Sequence, residues 1–120
     1  MAFGTPKPVR WMGSSLSDLQ ACPPEVRDEV GFALFEVQRG GKPISAKPLQ
    51  GFASSKVLEI VTRFDGDTWR TIYTVEIAGV VYVLHVFQKK STKGIKTPQR
   101  EILLIKQRLR EARADGDSNG

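Results

Sequence analysis

Residues 57–88 read VLEIVTRFDGDTWRTIYTVEIAGVVYVLHVFQ, and the punctuation of this stretch decides the fold. Segments 57–64, 68–77 and 80–88 are rich in β-branched and aromatic residues, which suit a pleated, half-buried surface. Asp65-Gly66 and Ala78-Gly79 separate them, and dipeptides of this kind close tight hairpins. The stretch therefore reads as a three-stranded antiparallel meander.

Register follows from the turns. A two-residue loop at Ala78-Gly79 sets Ile77 opposite Val80, Ile72 opposite His85 and Arg70 opposite Phe87. Strict alternation then places Trp69, Thr71, Tyr73, Val75 and Ile77 beside Val80, Tyr82, Leu84 and Val86 on an apolar face, where helices are expected to pack. The opposite face carries Arg70, Ile72, Thr74 and Glu76 beside Val81, Val83, His85, Phe87 and Lys89, and is the candidate site. Arg63 joins it if the Asp65-Gly66 connection has an even number of loop residues. Glu59 shares Arg63's face, either as an orienter of an arginine or as one half of a cross-strand ion pair.

Outward from the meander, Lys7 to Met12 reads as a short first strand. Ser14 or Ser15 caps a brief helix to about Gln20, and Pro23-Pro24 separates it from the next. Over 25–39, Val26, Val30, Ala33, Leu34 and Val37 form one stripe of an amphipathic helix, which Gly40-Gly41 ends. Residues 42–55 lack periodicity and read as a loop. Thr97-Pro98 opens a last helix carrying Ile102, Ile105 and Leu109, to about Ala112. The expected architecture is α+β: a small antiparallel sheet, mixed at its edge, with an N-terminal helical hairpin and a C-terminal helix. One domain is expected over 1–113, and 114–120 is small, polar and expected to be disordered.

Composition narrows the function. The chain has 120 residues and net charge +5, and nine Lys or Arg stand against two Glu within 89–113. Such a block attracts a polyanion, or forms a solvated face beside an acidic partner. Cys22 is the single cysteine, so no intrachain disulfide forms. No stretch has the apolar length of a signal peptide or a bilayer span, and a cytoplasmic, membrane-free protein is expected. There is no glycine-rich phosphate loop and no His/Cys cluster, so neither metal nor cofactor is expected.

The cationic face suits metal-independent RNA cleavage. That chemistry needs a group to take the ribose 2′-hydroxyl proton, cations for charge developing on phosphate, and an acid for the leaving 5′-oxygen. His85, the lone histidine, is a proton-transfer candidate or a structural strand residue. Arg70 suits the phosphate, since guanidinium binds its oxygens bidentately. Phe87 suits base stacking or burial under the terminal segment. Lys89, Lys90, Lys93 and Lys96 lead into the last helix as a phosphate-contacting run or a solvated loop. Lys56 precedes the meander. The catalytic set is Arg63, Arg70, His85 and Lys89; the RNA-binding set is Lys56, Phe87, Lys90, Lys93 and Lys96.

Leu58 to Arg63, Trp69 to Tyr73, Tyr82 to Thr92 and Lys96-Thr97-Pro98, in that order and spacing, resemble the RelE/ParE toxin superfamily, and its phage-derived HigB-like branch in particular. The resemblance covers about 57–109. It implies a RelE-like domain, a type II toxin that cuts messenger RNA on the ribosome to a 2′,3′-cyclic phosphate and inhibits translation, and a cognate antitoxin with a helix-turn-helix. Arg70 matches the arginine that stabilises the phosphate. Arg63 and the Phe87 to Lys90 segment match further family positions. The carboxy-terminal tyrosine that some members use in place of a histidine is missing. Two other functions are open: a ParE-like DNA gyrase inhibitor and a non-catalytic nucleic-acid-binding regulatory module.

Overall fold

The computed structural model describes residues 5–52, 56–89 and 97–119. Its elements run β1 (Val9–Trp11), α1 (Ser15–Gln20), α2 (Pro24–Gln38), β2 (Ala46–Pro48), β3 (Leu58–Phe64), β4 (Asp67–Ile77), β5 (Val80–Lys89) and α3 (Gln99–Asn119). The strands form one sheet in the order β1-β5-β4-β3-β2. Among the described residues only β1 pairs in parallel, against β5; the other neighbours are antiparallel. The fold is thus α+β with a mixed edge, as the turn signals and the helical stripes indicate.

Local chemistry fixes the ends of the elements. Asp65 and Gly66 (φ 53° and 80°) and Ala78 and Gly79 (φ 53° and 69°) are all left-handed, the pairing that matches the twist of a two-residue hairpin. Gly40 ends α2 at φ 90°: its N–H donates to Val37 O and that of Gly41 to Glu36 O, capping the orphan carbonyls of the last turn. Ser14 occupies the cap position of α1 without a side-chain cap bond; its hydroxyl donates instead to Asp18 Oδ2 at 2.8 Å.

Helices cover both faces of the sheet. Val26, Val30, Ala33, Leu34 and Val37 of α2 pack with Ile60, Trp69, Tyr73, Val81, Val83 and Val86. On the other face Ile105, Leu109 and Ala112 of α3 pack with Ile72, Tyr82, Leu84 and Phe87. No helix among the described residues is long and apolar enough to cross a membrane.

Three expectations are corrected. Strict alternation fails along the β4–β5 pair: Ile72 pairs with His85 and Ile77 with Val80 as expected, but register shifts lie between Ile72 and Tyr73 and between Thr74 and Ile77. Each shift adds one residue to one strand, and the two cancel. From the first shift to the hairpin β5 presents the opposite face, as β4 does after the second shift, so Val81 and Val83 lie under α2, while Ile77, Val80, Tyr82 and Leu84 lie under α3. Second, the segment read as a loop contains β2, which pairs Lys47 with Glu59; three residues are too few to show a period. Third, the expected disordered tail continues α3 as far as Asn119. Tyr82 Oη donates to Asp115 Oδ2 at 2.7 Å and Arg10 lies 3.4 Å from the same carboxylate, so tertiary anchoring outweighs the poor helix propensity of Asp-Gly-Asp-Ser.

Candidate functional site

Three cross-strand rows build the site on the face that α3 partly covers. Lys47, Glu59, Ile72 and His85 form one row, Val61, Arg70 and Phe87 the next, and Arg63, Thr68 and Lys89 the last. Phe64 pairs with Asp67, so the connecting loop is the even pair Asp65-Gly66 and Arg63 joins Arg70's face. A cleft of about 580 Å³ opens beside these rows, lined by Lys47, Glu59, Arg63 and Arg70 from the strands and by Ile102 and Lys106 from α3.

Glu59 organises the cations. Its Oε1 accepts from Arg70 Nη1 and lies 3.6 Å from Lys47 Nζ. Only 5% of the Glu59 side chain and 12% of the Arg70 side chain are exposed, so the pair is desolvated and each charge depends on the other. Arg70 Nε–H, also buried, has no acceptor among the described residues, which leaves hydrogen-bonding capacity unfilled beside the cleft. Arg63 and Lys47 are exposed, so both reach solvent, Lys47 while paired with Glu59. Burial pushes the Lys89 ammonium pKa down, and the nearby Arg70 and Lys47 charges push it further, against the opposing pull of Glu59.

His85 occupies a different setting from the one its sequence neighbours indicated. The first register shift turns both Leu84 and His85 toward α3, and the ring is 6% exposed. Arg108 Nη1 lies 3.2 Å from Nδ1. Glu101 Oε1 lies 3.3 Å from Nε2, close enough for electrostatic attraction but without hydrogen-bond alignment. Burial lowers the His85 pKa first, with Arg108 adding to it and Glu101 opposing. The ring stacks on Phe87 with centroids 4.9 Å apart. Phe87 is half-buried and packs beneath α3, so it lies between the two readings its sequence allowed.

The structure thus brings Arg63, Arg70 and Lys89 onto one face, with His85 and Phe87 at the margin. It does not bring Lys56 there: Lys56 lies beyond the other end of β3 and pairs with Glu76 at 3.6 Å. Lys90, Lys93 and Lys96 lie outside the described residues. Sequence reasoning missed Lys47, hidden in the unread strand β2, and also Lys106, Glu101 and Arg108. Arg108 left a signal, since it stands three residues after Ile105 on the buried stripe of α3, and a charge at such a position needs a buried partner. Its Nη1 donates to Leu84 O at 3.0 Å and its Nη2 to Ser14 Oγ at 3.1 Å. Among the described residues no group of three or more His, Cys, Asp or Glu is placed to hold a metal ion.

The family model described as "Phage derived protein Gp49-like (DUF891)" matches residues 17–110, which include every residue of the three rows. No curated protein and no solved structure matches the chain.

Proposed function

This chain belongs to the phage-derived Gp49-like family, and from that premise we propose that it is a RelE/HigB-like toxin: a metal-independent endoribonuclease that cuts messenger RNA on the ribosome and is restrained by a cognate antitoxin. The observation that carries this reading is the convergence of Lys47, Arg63, Arg70 and Lys106, from four different elements, on one cleft. Convergent cations bind successive phosphates of a single strand, and the half-buried Phe87 beside them offers a ring edge for a base.

Each residue has a distinct task in the reaction. Arg70, fixed through Glu59, stabilises the charge that develops on the phosphate as the 2′-oxygen attacks. Arg63 and Lys47 hold the flanking phosphates. Lys89 stands in Arg63's row on the same face, and its ammonium pKa is pushed down by burial and by Arg70 and Lys47 against the pull of Glu59. It is assigned the 2′-hydroxyl proton, which it takes in the fraction of molecules whose amine is unprotonated. The P–O5′ bond breaks, the departing 5′-oxygen takes up a proton from water, and a 2′,3′-cyclic phosphate remains. His85, held beneath α3 by Arg108 at Nδ1, supports Phe87 by stacking.

Primer extension on transcripts after brief induction tests the reading, with Arg70→Ala alongside and its fold checked by circular dichroism. New 5′ ends inside coding regions, absent in a folded Arg70→Ala variant, are the expected result. Intact transcripts with arrested growth would move the reading to gyrase inhibition, and intact transcripts with normal growth to a non-catalytic nucleic-acid-binding module.

A further inference from the structure

The outward side of α2 carries a pattern that its packing on the sheet does not use. Glu25, Asp28, Phe32, Phe35 and Arg39 recur at alternating spacings of three and four, the seam of a helix pair. Phe32 is 78% and Phe35 52% exposed, so two aromatic rings stand together in water at the middle of a helix face. Gly31 beside them would meet nothing within 4 Å if it carried a Cβ. A helix-interior glycine costs about 1 kcal/mol relative to alanine, and here it leaves room for a second backbone to approach.

The charges along the seam are ordered. Glu25 and Asp28 lie toward its N-terminal end and Arg39 at its C-terminal end, with the Arg39 guanidinium 5.6 Å from the Phe35 ring centroid. Run antiparallel against a copy of itself, the stripe sets Phe32 opposite Phe35 and Asp28 opposite Arg39, twice by symmetry. A parallel copy would set like charges together. A self-complementary patch of this kind is what a two-fold interface requires.

We propose that α2 is a homodimer seam, two copies of this chain pairing antiparallel through Phe32 and Phe35 with Asp28–Arg39 ion pairs at both ends. α2 lies on the sheet face opposite α3 and the cationic cleft, so both clefts of the dimer stay open. The contact engages about three helical turns per copy, small for a specific interface, and dissociation in the micromolar range is expected. The proposal is independent of the nuclease reading.

Sedimentation velocity of the full chain across the micromolar range is the test. A concentration-dependent shift to twice the monomer mass is expected. It should be lost in a Phe32→Ser/Phe35→Ser variant whose circular dichroism is unchanged. Asp28→Arg and Arg39→Asp should each weaken association by about tenfold or more, and the double exchange should return it to within about threefold of the wild type. A chain that stays monomeric throughout, a dimer that survives loss of both phenylalanines, or a double exchange as weak as the single ones would overturn the proposal.

Discussion

Arg108 Nη1 lies 3.2 Å from His85 Nδ1, and because a guanidinium can only donate, the imidazole nitrogen facing it is unprotonated. A neutral ring then carries its hydrogen on Nε2, which finds no aligned acceptor among the described residues. Burial holds its pKa below the ordinary 6.5, so at acid pH the unfolded chain binds a proton that the folded chain refuses. The stability this contributes is full above the unfolded value and drains away as pH falls through the lowered one. Thermal unfolding midpoints should fall as pH drops below about 6.5, the unfolded histidine value. His85→Gln should flatten that dependence, since the chain has no other histidine; parallel curves for both proteins would remove His85 from the account.

Glu59 and Arg70 make a second buried relationship, with the opposite lesson. Neither charge is solvated, so removing one strands the other. Glu59→Ala is expected to cost about 3 kcal/mol in urea denaturation, and Arg70→Met in the same background should recover most of it by removing the orphaned charge. Additive losses would show that the two side chains do not act as a pair.

The candidate site was partly legible because the two register shifts cancel, so that counting from the Ala78-Gly79 turn still pairs Arg70 with Phe87 and Ile72 with His85, and because the Asp65-Gly66 loop is even, which brings Arg63 onto the same face. The facing of the residues from the first shift to the hairpin was illegible, since an added strand residue changes no composition and leaves no mark in the sequence. Lys47 was illegible because a three-residue edge strand has no period. Lys106 was illegible, and Arg108 legible only as a charge on a buried stripe, because their partners are set by how α3 lies on the sheet. The two helices α1 and α2 were legible throughout, their signals being local: paired prolines, one apolar stripe and a glycine at positive φ.

The end of α3 offers a case where propensity and packing disagree in sign. In an exposed helix Gly116→Ala would stabilise by about 1 kcal/mol. Here an added Cβ would stand 2.4 Å from Ile77 Cγ2, next to the Asp115–Tyr82 bond. Gly116→Ala is therefore expected to lower the melting temperature, as is Asp115→Ala, which loses about 1 kcal/mol with its part-buried hydrogen bond. A rise in melting temperature for Gly116→Ala would mean that the helix end does not pack on β4.

Arg63 separates binding from folding. Its side chain is exposed and lines the cleft, so Arg63→Ala should leave the unfolding midpoint nearly unchanged. Affinity for a single-stranded oligoribonucleotide should fall, and the slope of log affinity against log salt should become shallower by about 0.7, the single-strand value for one phosphate contact. An unchanged slope would place the strand elsewhere on the protein.

Lys89 gives the chemical step a pH signature. If a neutral amine takes the 2′-hydroxyl proton, cleavage rises with pH as that amine loses its own proton, and the rise falls below the ordinary lysine value of 10.5 because burial, Arg70 and Lys47 all disfavour the ammonium. Lys47→Met removes one of those cations, so its profile should move toward higher pH, alongside the weaker RNA binding that loss of a phosphate contact brings. Lys89→Met should lose the pH-dependent limb and about a hundredfold in rate, the usual contribution of a positioned base, whereas His85→Gln should retain most of the activity. The opposite pattern, with His85→Gln abolishing cleavage and Lys89→Met tolerated, would return the proton transfer to the histidine and require α3 to lift from it in the RNA complex.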